Sequence, residues 1–203
     1  EPITVRIRLP GSSGEIDRVI NGGDFFVIIR QMLYFDSFIP SIPITIADTA
    51  NVDYTSLTKA AGIIFDSTFF AEGMEKSVTC FDESPLSPPI IEPGDVEKIN
   101  PELANIALSS VQTRYEVCLF WGVEKGNPIE SQPVISDIPT LILAGEFDHA
   151  TPPAWSQLAA ETLSHSYYFE FPNIGHAVTS NDVSTNGCIS NLVNSFYDSP
   201  NNT

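Results

Sequence analysis

The 203 residues carry 26 acidic against 9 basic side chains, a formal net charge of −17, with 42 % hydrophobic residues. That apolar content can build a real core, while the charge opposes binding to phosphate backbones and anionic membranes, so nucleic acid is excluded as a partner. A solvated acidic surface accounts for most of this charge; attraction of a cationic substrate group, such as a peptide amino terminus, is the alternative. No apolar run reaches the roughly 18 residues of a membrane span, and no basic head with an apolar middle marks a signal peptide at the start. Cys80, Cys118 and Cys188 are too few for a disulfide scaffold and lack zinc-site spacing, which leaves one disulfide plus an odd thiol open.

Ile3, Val5, Ile7 and Leu9 alternate with Thr4, Arg6 and Arg8, the pattern of a strand with one buried face. Gly11-Ser-Ser-Gly14 turns it, and a return strand over Glu15–Ile20 ends at Asn21-Gly22-Gly23, so residues 1–23 read as a hairpin. Asp24 is placed to cap a helix whose buried face is Phe25, Ile28, Ile29, Met32 and Leu33. Pro40 and Pro43 interrupt the chain beyond that helix, and Tyr54, Leu57, Ala61, Ile64 and Phe65 give a second helix from about 53 to 66. Residues 74–94, rich in proline and acid, read as an irregular loop. Helical spacing returns over 101–120 at Leu103, Ile106, Ala107, Val111, Tyr115 and Cys118, with Pro101 suited to the first turn.

Residues 122–137 read as a connector, and the character changes after it. Thr140–Ala144 is continuously apolar, as for a parallel strand buried on both faces. Thr151-Pro-Pro fits an N-cap with proline in the first turn, and Trp155, Leu158, Ala159 and Thr162 form an inward stripe. Tyr167, Phe169 and Phe171 alternate along a second strand, and a last helix carries Cys188, Ile189, Leu192, Val193 and Phe196. Cys188 reads as a small core residue. The fold class is therefore α/β: strand, helix, strand, helix of a parallel sheet, preceded by a mostly helical module.

In parallel sheets functional side chains gather at the carboxyl ends of strands. Asp148 follows one strand end and His176 the other, so both loops open on the same edge. A carboxylate that orients an imidazole, and an imidazole that takes a proton from a serine, are the parts of a nucleophilic hydrolase. Alone, Asp148 is an ordinary cap of the turn before Thr151, and His176 an ordinary loop histidine; their joint placement favours paired chemistry. His149 reads as solvent-facing and His165 as surface. Glu146, on the same edge, shapes a pocket or is simply solvated. Asp82 and Glu83 are carboxylates able to bind a free amino group, or members of an acidic loop.

LILAGEFDHATPPAW and FPNIGHAV, within residues 141–178, resemble the carboxyl-terminal part of α/β-hydrolase peptidases related to tripeptidyl aminopeptidase and proline iminopeptidase. The resemblance implies Asp148, in Gly-x-x-Asp-x-x-Thr-Pro-Pro, as triad acid and His176, in Gly-His, as base. SVTCFDE at 77–83 and CLFWGV at 118–123 resemble segments of the helical cap of that family, so residues 1–136 are expected to form a cap module and 137–203 the carboxyl-terminal part of the catalytic domain. The resemblance also implies a Cys80 to Cys118 disulfide and hence a secreted or cell-surface setting. It implies no metal or organic cofactor.

The departure from that family is large: no Gly-x-Ser-x-Gly nucleophile elbow occurs in the 203 residues. The expectation is a carboxyl-terminal fragment of a serine aminopeptidase, inactive alone, whose serine lies upstream with the missing half of the sheet. Its substrate would be a peptide or another small acyl compound, and its open sheet edge would invite self-association. An esterase of the same fold, or a non-catalytic binding domain derived from a hydrolase, are the alternatives.

Overall fold

A computed structural model of the chain describes residues 1–9, 11, 13–65, 71–82, 99–180 and 186–201. They divide into two compact units, one of Glu1–Phe65 with Pro133–Thr203 and one of Asp66–Gln132. The first unit thus joins the amino-terminal stretch to the carboxyl-terminal one.

In the first unit, strands β1 (Ile3–Arg8) and β2 (Glu15–Ile20) pair antiparallel with Ile3 opposite Ile20 and Arg8 opposite Glu15. The period of two puts Val5 and Ile7 into the core and leaves Arg6 and Arg8 outside, where they meet Asp17 and Glu15 at 3.0 and 3.1 Å. Such solvated pairs contribute little. Helix α1 (Gly22–Met32) starts at a reciprocal capping box: Asp24 N–H donates to the Asn21 side chain and Asn21 N–H donates to the Asp24 carboxylate. The cap is thus Asn21, with Asp24 as its answering acid three residues later.

Pro40 and Pro43 do not break the chain as expected. A short 3-10 turn (Ile39–Ser41) runs into helix α2 (Ile42–Ala50), with Pro43 in the first turn, where a missing N–H costs nothing. Helix α3 (Thr55–Ile64) then closes a core of Val5, Ile7, Ile20, Ile28, Met32, Leu57, Ala60 and Ala61.

The rest of this unit holds strands β3 (Thr140–Gly145) and β4 (Ser166–Phe171), parallel and in register from Thr140 opposite Ser166 to Gly145 opposite Phe171. β3 is only partly covered, since β4 is its sole partner strand among the described residues.

Within the same unit, the Asp66–Gln132 segment set aside, the expected inward stripe of the connecting helix is also uncovered: Trp155 and Leu158 are each 62 % exposed. That helix runs from Pro153 to Ala160 after an N-cap at Pro152, not Thr151, whose hydroxyl is used elsewhere. The last helix, Cys188–Asp198, buries Ile189 against Ile174 and Val178, while Cys188 is exposed rather than in the core.

The second unit contains helix α4 (Glu72–Asp82) and helix α5 (Pro101–Trp121). Part of the stretch expected to be irregular, 74–82, is therefore helical. A disulfide joins Cys80 to Cys118 with Cα atoms 5.2 Å apart, the Trp121 indole N–H donates to Ser77 Oγ at 3.0 Å, and Gly126 N–H donates to the Phe81 carbonyl at 2.8 Å. Asn100 caps α5 by accepting from Glu102 N–H, with Pro101 in the first turn. The expected inward residues Leu103 and Val111 are exposed. Numbered on from α5, the helices Pro153–Ala160 and Cys188–Asp198 are α6 and α7.

Candidate active site

Parallel pairing carries the two expected loops to one end of the β3–β4 pair, and the backbone stitches them together there. Glu146 N–H donates to the Phe171 carbonyl at 3.0 Å, Phe147 N–H to that of Ile174 at 2.9 Å, and Asn173 N–H to the Glu146 carboxylate at 2.8 Å. Glu146, expected either to shape a pocket or to be solvated, is an exposed side chain whose carboxylate bridges the two loops.

Gly145 and Gly175 are required by close approach. A Cβ on Gly145 would stand 2.7 Å from the Ile174 carbonyl oxygen, and one on Gly175 would run into the Leu33 carbonyl. Asn173 and Ala177 in the histidine loop both take left-handed backbone, with φ of 62° and 59°. Non-glycine residues hold that region only where their surroundings over-determine it.

Within this frame the His176 Nδ1 lies 3.0 Å from both carboxylate oxygens of Asp148. Asp148 is only 7 % exposed, and its remaining lone pairs are filled locally: Oδ1 accepts from Ala150 N–H at 2.9 Å and Thr151 N–H at 2.8 Å, and Oδ2 from the Thr151 hydroxyl at 2.7 Å. The turn-capping role and the histidine-pairing role thus coexist in one side chain. Burial alone would push the Asp148 carboxyl up, but the donors from Thr151, His176 and Ala150 outweigh it and hold the group below the ordinary aspartate value. The carboxylate is ionised at neutral pH. It therefore accepts from the imidazole, which fixes the proton on His176 Nδ1 and the basic lone pair on Nε2.

Three neighbours carried no local signal in the sequence. Tyr34 packs edge-on against both imidazoles, 4.4 Å between ring centroids for His149 and 5.1 Å for His176. Asp36 accepts from Gly175 N–H at 2.8 Å across 139 residues of chain. His149, expected to face solvent, is half-buried with both ring nitrogens shielded and without a hydrogen-bond partner. Burial, then the charge of Arg30, lower its pKa from 6.5, assisted by His176 and opposed by Asp148. His165 is half-buried, its Nε2 3.2 Å from the Tyr167 hydroxyl, and is not part of this cluster.

Asp82 is the exposed last residue of α4 in the other unit, and Glu83 lies outside the described residues. Among the described residues no group of three or more His, Cys, Asp or Glu is placed to hold a metal ion, and no helix is long and apolar enough to cross a membrane.

A buried carboxylate bonded to the Nδ1 side of an imidazole can hold its tautomer and stabilise its protonated form. That is the orienting half of acyl-transfer chemistry. In comparisons with known proteins, residues 105–202 match the family model described as TAP-like protein. No curated protein and no solved structure matches the chain. The matched residues contain β3, β4 and both loops, so the part of the chain that carries the Asp148–His176 pair is similar to the TAP-like α/β-hydrolase family.

Proposed function

We propose that these residues serve a serine hydrolase that releases single residues or short peptides from peptide amino termini, with His176 as general base then acid and Asp148 as its orienting partner. The observation that carries this reading is the Asp148–His176 pair at 3.0 Å on the strand-end edge. The nucleophilic serine would come from a Gly-x-Ser-x-Gly segment outside the 203 residues. His176 Nε2 would take the serine proton as the oxygen attacks the carbonyl, then return it to the departing amine. The imidazolium formed in between is stabilised by the Asp148 carboxylate.

The amino-terminal specificity rests on the family resemblance of the helical segments and on the acidity of the protein, with Asp82 and Glu83 as the carboxylates offered to a substrate ammonium. The Cys80–Cys118 disulfide suits an oxidising compartment and supports a secreted or cell-surface location.

The test is to join the chain to its upstream segment and assay aminoacyl and peptidyl amides against simple esters. Amide turnover that requires a free amino terminus is expected, with Asp148→Asn about 10⁴-fold slower because the imidazole loses its tautomer. The 203-residue chain alone is expected to be inactive and unlabelled by a serine-directed probe. Efficient ester cleavage without amide turnover would replace the aminopeptidase reading with the esterase one.

A further inference from the structure

We propose that the turn Leu33–Asp36 is the positioning device of the histidine loop, with Asp36 holding its backbone and Tyr34 its ring. This rests on the reading of His176 as the base. Covalent neighbours alone do not fix that loop: Asn173 and Ala177, neither of them glycine, sit in left-handed backbone. Something outside the loop must hold it.

The turn after α1 makes three separate contacts there. Asp36 Oδ1 accepts from Gly175 N–H at 2.8 Å, which fixes the Ile174–Gly175 peptide, one residue ahead of His176. The Leu33 carbonyl lies against the Gly175 Cα so closely that a Cβ would collide with it. The Tyr34 ring meets the His176 ring edge-on, at 5.1 Å and 81°. The first two contacts locate the backbone and the third limits rotation of the imidazole. Asp148 then needs to satisfy only the Nδ1 direction. Tyr34 also contacts His149, in the acid loop, so one side chain touches both strand-end loops. Asp36 and Tyr34 are thus positioning residues, acting through His176 and not on substrate.

The test is nuclear magnetic resonance of the 203-residue chain, reading the His176 Nδ1 proton and its exchange with water. Wild type is expected to show this proton downfield and protected, and Asp148→Asn to lose it. Asp36→Ala should speed its exchange about tenfold, the factor that one net hydrogen bond is worth. Asp36→Asn, which keeps an acceptor, should restore protection, and the His165 resonances should stay unchanged in both. Should Asp36→Ala unfold, Tyr34→Leu carries the same expectation for the ring, with Tyr34→Phe as its rescue. Wild-type protection in Asp36→Ala and Tyr34→Leu, with loss in Asp148→Asn, would overturn the positioning role and leave the acid–base pair standing. Absence of the protected proton in wild type would overturn both.

Discussion

Asp148 keeps its charge while nearly buried only because the Thr151 backbone and hydroxyl, His176 and Ala150 all donate to it. His149, one residue on, is the opposite case: its shielded nitrogens have no partner, and its pKa is lowered. Both groups bind fewer protons when folded than when unfolded, so both make stability fall as pH falls. For His149 the loss begins below about 6.5, the ordinary histidine value, and is complete once pH passes its lowered folded value. For Asp148 it begins below about 3.9 and continues through a lower folded value. Urea unfolding midpoints should therefore decline in two windows, one opening at about pH 6.5 and the other at about pH 3.9. His149→Phe should erase the first window, keep the edge contact with Tyr34 and raise stability at neutral pH by about 1 kcal/mol, since it removes unpaired buried polar atoms. A loss of stability in His149→Phe at pH 7 would mean that the ring nitrogens have partners. The sequence offered no hint of this: an Asp-His-Ala-Thr loop looks solvated unless the distant Tyr34 is known to cover it.

At the scale of elements, legibility depended on how much of the code was local. The β3–α6–β4 unit announced itself through a continuous apolar run, a Thr-Pro-Pro start and an alternating aromatic strand. Helix α2 did not, because Pro43 reads as a breaker until the helix is seen to begin one residue before it. Helix α4 was hidden for another reason: Met74, Val78 and Phe81 keep helical spacing, but they run straight into the proline-rich sequence after Asp82, and in the fold they stay exposed while only Cys80 of the helix is buried. The exposed Trp155 and Leu158 show the reverse error, a stripe present in sequence without a covering partner among the described residues. The two loops meet through Gly145 in β3, whose lack of a side chain lets the Ile174–Gly175 backbone pass. Gly145→Ala should cost about 2 kcal/mol, since backbone and not a flexible side chain must yield. Thermal unfolding and the distance-sensitive Asp148–His176 pairing should both respond. A neutral Gly145→Ala would show that the loops are more loosely joined than these contacts imply.

At the scale of the molecule, the grouping of Glu1–Phe65 with Pro133–Thr203 was beyond any reading of local pattern, because bonds such as Asp36 to Gly175 are set by packing between distant segments. The Asp66–Gln132 unit poses a separate question, since α5 exposes Leu119 and Phe120, and among the described residues of the unit the buried apolar side chains are Cys80 and Ala104. Among the described residues, α4 is tied to α5 by the Trp121–Ser77 hydrogen bond and the disulfide, and to the segment after α5 by the Gly126–Phe81 hydrogen bond. Hydrogen bonds of this kind contribute about 1 kcal/mol each net. Closing a chain with a sequence separation of 38 removes unfolded-state entropy worth about 4 kcal/mol. The covalent link is thus the larger of these contributions. Reduction, or Cys80→Ala with Cys118→Ala, should make the 72–121 region protease-sensitive under native conditions, while protection of β3 and β4 amides in hydrogen exchange stays high. Retained protease resistance after verified reduction would mean that helix packing alone holds the unit, and would remove the physical argument that this protein requires an oxidising compartment.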